Sequence, residues 1–417
     1  MDRALLEDLF RAAVAAADPG RAIIPHLPEK PRGRTVVIGA GKASSQMAAA
    51  FEQLWDGPLT GLVVTRYGYA VPASQIEIVE ASHPVPDEAG FLAARRIMGK
   101  VHGLGPDDLV VALISGGGSA LLPAPGPGMS FEDEQEVTRI LLASGLPISV
   151  MNHIRNELSA IKGGRLAALA APARVATLIV SDVAGDDPAL VASGPTVPIA
   201  GSRTEVKHLL ALHGIELPAA ATALLASTEN PAPRPDDPRF AKNSVRIVAS
   251  SSISLDAAAA LGEERGYRSH ILSDAVEGEA RDVGQVLAAL AKEVDLRDRP
   301  FRRPALLLSG GETTVTVRGR GKGGRNSEFL LSFALSIEGT DGISALAADT
   351  DGIDGSEDNA GAIADGTSAA RMRAAGIDPR AALANNDAYT AFKAIGDLVT
   401  TGPTGTNVND FRAVLIR

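Results

Sequence analysis

A repeated alternation of short apolar runs, glycine-containing turns and helical segments constrains the fold of this chain most strongly. Residues 35–38, 109–114 and 177–180 are almost unbroken runs of β-branched and aliphatic side chains. Such runs are typical of strands that are buried on both faces, as in a parallel sheet covered by helices. The pattern therefore predicts an α/β fold.

A proline-rich stretch at residues 229–239 interrupts this alternation and is the best candidate for a domain boundary. The alternation resumes after it with a predicted strand at residues 245–249. We predict a Rossmann-like N-terminal domain with a mainly parallel sheet at residues 1–235, and a smaller α/β domain with a mixed sheet at residues 241–417. The last strand could rejoin the first domain, and the active site is expected in the cleft between the two domains.

Composition excludes several kinds of chemistry. The 417 residues contain no cysteine, which excludes disulfides, thiolate zinc sites, iron–sulfur clusters and cysteine nucleophiles. The net charge of −10 provides no global basic field for a nucleic acid. No apolar run approaches the ~20 residues that span a bilayer, and the charged residues 1–17 do not resemble a signal peptide. We expect a cytoplasmic protein with no nucleic-acid or membrane partner.

Glycine, lysine and aspartate residues are concentrated in the loops that follow the predicted strands. In an open α/β sheet these loops lie at the carboxyl ends of the strands, where backbone N–H groups and helix N-termini bind anions. Turns also need glycine, but several such loops beside basic residues and carboxylates predict a phosphate and metal site. The Gly310-Gly311 pair is expected to form a turn between two strands. The loops read Gly39-Ala40-Gly41-Lys42, Ser115-Gly116-Gly117-Gly118-Ser119, Ser181-Asp182, Ser309-Gly310-Gly311, Asp349-Thr350-Asp351 and Gly402-Pro403-Thr404-Gly405-Thr406-Asn407.

Known phosphate-binding motifs match this chain only in part. It contains no Gly-x4-Gly-Lys-Ser/Thr, so it is not a P-loop NTPase. Gly39, Gly41 and Ser44 come close to the Gly-x-Gly-x-x-Gly of a dinucleotide site, and Arg66 after the second strand would suit a 2′-phosphate. Lys42 inside this turn also fits phosphoryl binding, so an NADP site and a phosphoryl site both stay open.

The candidate charged residues each have a structural alternative. Asp182 and Asp351 could hold Mg²⁺ or accept a proton, yet aspartate also favours turns and helix caps. Arg325 opens a predicted helix, where a cation is disfavoured unless an anion occupies the same place. His83, which precedes a proline, is expected to belong to a structural turn.

Residues 152–167 have the spacing of a single helix. Arg155, Lys162 and Arg165 would share its polar face with Asn156. Solvation of a helix face is a simpler explanation of these side chains than ligand binding.

Taken together, the motifs resemble the bacterial and archaeal glycerate 2-kinase family, whose C-terminal part is a MOFRL module. The matching segments follow a fixed order from about residue 36 to residue 410, nearly the whole chain. Glu157 departs from the family pattern, in which a basic or histidine residue is expected. The segments include Val37-Ile38-Gly39-Ala40-Gly41-Lys42-Ala43-Ser44, His83-Pro84-Val85-Pro86-Asp87, Ser115-Gly116-Gly117-Gly118-Ser119, Ser181-Asp182-Val183-Ala184-Gly185-Asp186-Asp187, Gly323-Gly324-Arg325-Asn326 and Gly402-Pro403-Thr404-Gly405-Thr406-Asn407.

The resemblance implies ATP- and Mg²⁺-dependent phosphorylation of D-glycerate at its 2-hydroxyl, giving 2-phosphoglycerate and ADP. It implies catalytic roles for Lys42, Arg325 and Asp182, with metal held by Asp182 or Asp351 and the base not distinguished from the metal ligand. Some members are labelled hydroxypyruvate reductase, so NAD(P)H-dependent reduction is the alternative, and a non-catalytic nucleotide sensor is a third. A homodimer stays open. Substrate or nucleotide contacts are expected from Gly39, Gly41, Ser115, Gly116, Gly117, Gly118, Ser119, Gly310, Asp351, Gly402, Thr404, Gly405 and Asn407.

Overall fold

The computed structural model describes residues 2–417, which divide into two units. The N-terminal unit comprises Ala22–Val248, and the C-terminal unit comprises Ala249–Arg417 together with the residues up to Arg21. Each unit has its own six-stranded sheet and its own apolar core. The prediction of two α/β domains is therefore confirmed. Among the described helices, none combines the length and the apolar character needed to cross a membrane.

The N-terminal sheet is parallel across five of its strands. Its order is β3-β2-β1-β4-β5-β6, and every pair from β3 to β5 is parallel. The two central strands are buried along their whole length, as their apolar runs predict. The loops after the five parallel strands consequently leave the sheet at one edge, its carboxyl edge. The strands are β1 (Thr35–Ala40), β2 (Thr60–Arg66), β3 (Ile76–Ala81), β4 (Leu109–Ser115), β5 (Arg174–Val180) and β6 (Ser244–Ala249).

Of the helices in the first 250 residues, α1 belongs to the C-terminal unit, and those from α3 onward cover this sheet or build a core of their own. Asp87 caps α4 by accepting the Gly90 N–H at 3.1 Å. A second apolar cluster lies within the helices between residues 131 and 226 and includes Val137, Ile154 and Leu210. The helices are α1 (Asp2–Ala16), α2 (Pro19–Ile23), α3 (Ser44–Leu54), α4 (Glu88–Val101), α5 (Gly118–Leu121), α6 (Phe131–Ala143), α7 (Ile148–Glu157), α8 (Arg165–Ala170), α9 (Arg203–Leu212) and α10 (Ala219–Ala226).

The C-terminal sheet is mixed, as predicted. Its order is β11-β10-β9-β12-β8-β7, in which only the β7–β8 pair among those described is parallel. One face packs against α12, α13 and α16 and the other against α1 and α11. The elements are α11 (Ser251–Glu264), β7 (Arg268–Glu279), α12 (Ala280–Arg297), β8 (Ala305–Thr314), α13 (Arg325–Ser336), β9 (Ile343–Asp349), β10 (Gly361–Asp365), α14 (Ser368–Ala374), α15 (Pro379–Ala384), α16 (Ala388–Ile395), β11 (Leu398–Val399) and β12 (Asp410–Ile416).

The domain boundaries differ from the predicted 1–235 and 241–417. Helix α1 belongs to the C-terminal unit because its apolar face is buried there, with the rings of Phe10 and Phe411 5.7 Å apart. The chain crosses between the units after Val248, at the end of β6, rather than in the proline-rich stretch. The last strand, β12, does not rejoin the first domain, because it pairs with β8 and β9 inside the second sheet.

Two local predictions are wrong. Gly310 lies inside the continuous strand β8 rather than in a turn, and a Cβ there would overlap the Ser251 hydroxyl. The helix expected at residues 152–167 is broken, because Gly163 and Gly164 adopt left-handed φ values of +60° and +80°.

The side chains around this break are mostly buried rather than solvated, which corrects the expected polar face. Lys162 Nζ donates to the Glu134 carboxylate at 3.0 Å, and both side chains are almost completely buried. Arg165 donates to the carbonyls of Asn156 and Lys162 at 2.7 and 3.1 Å, while Arg155 is half-buried. Lys162 and Arg165 therefore hold the segment between α7 and α8 in place through buried hydrogen bonds.

Candidate active site

In the N-terminal unit, the turn after β1 is fastened to the end of β4. The Lys42 N–H donates to the Gly116 carbonyl at 2.8 Å, and the Ala43 N–H donates to Ser115 Oγ at 2.9 Å. Gly41 has a φ of +142°, and a Cβ there would overlap the Ser115 hydroxyl, so this position requires glycine. The two glycine loops after β1 and β4 consequently form one continuous surface.

Asp182, in the loop after β5, lies against the same surface. A Cβ on Gly116 would overlap the Asp182 carboxylate, so the absence of a side chain lets the carboxylate contact the backbone. The next residue, Gly117, has a φ of +79°, and Lys42 Cγ lies 3.1 Å from the position its Cβ would take. The structure thus places the predicted residues Asp182 and Lys42 against two neighbouring glycines, Gly116 and Gly117, of the loop after β4.

Three further predicted residues shape this surface through packing and hydrogen bonds. A Cβ on Gly118 would come within 2.8 Å of the carbonyl that ends β1, and a Cβ on Gly39 would overlap a carbonyl of β4. The Ser119 and Ser193 hydroxyls are 2.8 Å apart, and Ser193 donates onward to Asn152 Oδ1 at 3.1 Å. Ligand contacts by Gly39, Gly118 and Ser119 stay predictions.

His83 is a residue of this edge that sequence reasoning assigned to a structural turn. It follows β3, and its Nε2 lies 3.1 Å from the position a Cβ on Gly117 would take. Burial, followed by the positive charges of Lys42 and Arg66, lowers the pKa of His83 to about 4, so the imidazole is neutral at pH 7. Arg66, at the end of β2, holds its guanidinium carbon 3.5 Å from the centre of the Tyr69 ring. The available signal was the position of His83 two residues after the end of β3, a strand that the sequence predicts.

In the C-terminal unit, Arg325 opens α13 and is held by three carboxylates. Its Nε donates to Asp410 at 2.7 Å, its Nη2 to Asp349 at 2.8 Å and its Nη1 to Glu312 at 2.7 Å. Burial lowers the pKa of Arg325, but these negative charges outweigh it and raise the pKa above its usual value. The sequence predicts that Arg325, as a cation at a helix N-terminus, needs a neighbouring anion. Three carboxylates of the protein itself provide it.

Asp349 at the end of β9 and the aspartates in the loop after it have different surroundings. Burial, followed by the charge of Asp351, raises the pKa of Asp349 well above its ordinary value. Asp354 accepts the backbone N–H groups of Asn326 and Ser327 at 2.9 and 2.8 Å, so it caps the start of α13. Burial also raises the pKa of Asp354. Asp351, which is only partly buried, is the member of this group that solvent reaches.

The loop after β11 packs on this aspartate loop. Thr404 Oγ1 donates to the Thr350 carbonyl at 2.6 Å, and Asn407 Nδ2 donates to Asp351 Oδ2 at 3.5 Å. A cavity of about 330 Å³ in the same unit borders Arg325. The structure therefore brings together five of the predicted residues, namely Asp351, Gly402, Thr404, Gly405 and Asn407.

Neither unit contains a ready-made metal cage. Within residues 2–417, no group of three or more His, Asp or Glu side chains is arranged to hold a metal ion. Mg²⁺ in phosphoryl-transfer sites is usually held by one or two carboxylates together with phosphate oxygens and water. Asp182, in contact with the glycine loop, fits that requirement, and Asp351 is the corresponding carboxylate of the C-terminal unit.

Two family models match the chain, and together they span most of it. Residues 5–226 match a domain of unknown function, DUF4147, and residues 305–410 match the MOFRL family. A D-glycerate 2-kinase from Thermotoga maritima is 40% identical over 413 residues, 98% of this chain and 97% of that protein. An Agrobacterium vitis protein with the provisional name hydroxypyruvate reductase is 55% identical over 99% of this chain and 94% of its own length. The crystal structure of a glycerate kinase from Thermotoga maritima superposes with a TM-score of 0.91 at 38% identity, covering 100% of this chain and 99% of that one.

Proposed function

We propose that this chain, which belongs to the glycerate 2-kinase family, transfers the γ-phosphoryl group of ATP to the 2-hydroxyl of D-glycerate. The products are 2-phosphoglycerate and ADP. The observation that carries the proposal is the meeting of Lys42, Asp182 and two glycine loops at the carboxyl edge of a parallel sheet. Ligands of open α/β sheets bind at this edge.

Phosphoryl transfer has a loose transition state, so the protein contributes mainly positioning and neutralisation of charge. The backbone N–H groups of the loop at residues 115–119 are suited to phosphate oxygens, and Lys42 supplies a positive charge beside them. Asp182 is the residue that would hold Mg²⁺, and the ion would supply positive charge that neutralises the transferring phosphoryl group. The second carboxylate, Asp351, is the other candidate ligand.

Arg325 is proposed to bind an anionic group of the substrate in the C-terminal unit. A guanidinium group pairs with a carboxylate through two parallel hydrogen bonds. Two of its present partners, Asp410 and Asp349, are buried, whereas the side chain of Glu312 is 57% exposed. Glu312 is therefore the partner that an incoming carboxylate or phosphate can replace at the lowest cost in desolvation.

Reduction of hydroxypyruvate is the second candidate function, because relatives at 55% and 56% identity carry that provisional name. Two features of the N-terminal unit would serve it, the glycine turn after β1 and Arg66 at the end of β2. Against it, Ser44 replaces the third glycine of the dinucleotide motif, and its hydroxyl donates to the Leu113 carbonyl at 3.0 Å.

One pair of assays separates the two functions. Purified protein with D-glycerate, ATP and Mg²⁺ is expected to release ADP, with L-glycerate as the stereochemical control. The same preparation with hydroxypyruvate and NADPH or NADH is expected to leave the 340 nm absorbance unchanged. Nucleotide oxidation without ADP release would contradict the kinase proposal and support the reductase.

A further inference from the structure

We propose that His83 is a catalytic residue whose Nε2 accepts the proton of the glycerate 2-hydroxyl as the phosphoryl group is transferred. The inference rests on the proposed kinase function and assigns one role that the sequence left undecided. With the proton on His83, Asp182 is left to hold the metal.

The position of His83 brings its imidazole to the reacting groups. The residue follows β3, so it leaves the sheet at the same carboxyl edge as Lys42, the glycine loop and Asp182. Its Nε2 and the Cγ of Lys42 both lie 3.1 Å from the place of the missing Gly117 Cβ. The imidazole and the lysine therefore flank one glycine, and a side chain at that position would separate both from the loop.

The hydrogen-bonding capacity of His83 is unused. Among the described residues 2–417, no side chain or backbone group is hydrogen-bonded to its imidazole, although the residue is half-buried. A histidine that served only to shape a turn would be expected to pair one ring nitrogen with a nearby backbone group. Both nitrogens of His83 are instead left for a ligand or for water.

The charges around His83 keep it in the form that a base requires. Burial disfavours the protonated imidazole most, followed by the charges of Lys42, from the turn after β1, and Arg66, from the end of β2, and together they lower the pKa of His83. Phosphate and carboxylate groups of bound substrates would offset these two positive charges and so favour proton uptake by the imidazole during the transfer.

The step balances with the substrates already named. The bond between the 2-hydroxyl oxygen and phosphorus forms while the bond between phosphorus and the β,γ-bridging oxygen breaks. The electron pair of the broken bond stays on the β-phosphate of ADP. The 2-hydroxyl proton moves to Nε2 of His83 and then to water, so no further reactant is needed.

The test compares His83→Gln with His102→Gln, an exposed histidine at the end of α4 that serves as the matched control. We expect His83→Gln to lower kcat by about 10²- to 10⁴-fold, with the KM for ATP within about threefold of wild type. In wild type, the plot of kcat against pH is expected to show an acidic limb, in which kcat falls as the pH drops through the pKa of His83 in the substrate complex. This acidic limb is expected to be absent in His83→Gln. His102→Gln keeps both kcat and the limb. ATP affinity and thermal melting are measured on each variant, and His83→Asn provides a second, smaller replacement.

The outcomes separate the inference from the proposed function. Wild-type protein without glycerate-dependent ADP release overturns both. An active wild type together with a His83→Gln variant of equal kcat, or one that keeps the acidic limb, overturns the role of His83 alone. Loss of that limb in Asp182→Asn but not in His83→Gln would identify Asp182 as the base instead.

Discussion

Arg325 and Asp410 are 85 positions apart in the chain, yet Arg325 Nε donates to Asp410 Oδ1 at 2.7 Å. The Asp410 side chain is fully buried, and it also accepts from Asn326 Nδ2 at 2.8 Å and pairs with Arg412. A buried carboxylate is costly unless its charge is compensated. The pair therefore joins the start of α13 to the start of β12 and fixes the guanidinium group at one place.

Removing this guanidinium group should reduce stability as well as activity. Arg325→Ala leaves Asp410 and Asp349 with one cation fewer, and we expect the free energy of unfolding to fall by about 3 kcal/mol. Arg325→Lys keeps the charge but not the planar set of donors, so it should recover most of the stability and little of the turnover. Urea unfolding and steady-state kinetics measure the two effects, and full turnover in Arg325→Lys would argue against a two-bond contact with substrate.

Glu312 should behave as a competitor of the anionic substrate for Arg325. Its side chain is mostly exposed, so Glu312→Gln is expected to change the free energy of unfolding by less than about 1 kcal/mol. With the competing charge removed, the KM for glycerate should fall several-fold. Glu357→Gln, which removes a carboxylate paired with Lys322 in the same unit, is the control. A raised KM in Glu312→Gln would mean that Glu312 helps to bind the substrate.

Lys42 should be required for turnover but not for folding. Deletion of one preorganised charge partner of a transition state costs about 3 kcal/mol, so Lys42→Ala is expected to lower kcat/KM by about two orders of magnitude. Lys30→Ala removes an exposed lysine that pairs with the exposed Asp56 and should have no effect. Retention of wild-type kcat/KM in Lys42→Ala would exclude the residue from the reaction.

The glycine loop should tolerate no side chain where Asp182 contacts it. Gly116→Ala places a methyl group on the Asp182 carboxylate, so we expect a large loss of kcat with the sheet intact by circular dichroism. Gly99→Ala is the matched control, because that glycine lies within α4 with open space around it. This replacement should raise the free energy of unfolding by about 0.5–1 kcal/mol and leave kcat unchanged.

Helix α1 should stabilise the unit formed by the C-terminal residues. Phe10→Ala removes a fully buried ring that packs on Phe411 and is expected to cost about 3–5 kcal/mol of unfolding free energy. Leu212→Ala, at an exposed position of α9, should change it by less than about 0.5 kcal/mol. Hydrogen exchange after Phe10→Ala should increase first in β12 and α11. A first increase in β1 and β4 would contradict the assignment of α1.

Several strands and loops that depend on the local sequence pattern were predicted correctly. The apolar runs of β1 and β4 and the glycine loops that follow them were predicted because burial on both faces leaves a local signature. The surroundings of Arg325 were not predicted, because Glu312, Asp349 and Asp410 come from three separate strands. Pairing between distant segments has no periodicity that a single sequence reveals.

The burial of Lys162 and the docking of α1 escaped prediction for the same reason. A lysine is usually exposed to solvent, and only the fold places Glu134 next to Lys162. The apolar face of α1 predicts burial, but it does not say against which sheet.

The central claim is tested most directly by identifying the product with ³¹P NMR. D-glycerate, ATP and Mg²⁺ are incubated with the protein, and the proton coupling of the new phosphomonoester resonance is recorded. The account predicts a doublet, because a phosphate on the 2-hydroxyl is coupled to the single proton of that carbon. A triplet from a phosphate on the 3-hydroxyl, or no phosphomonoester at all, would contradict it.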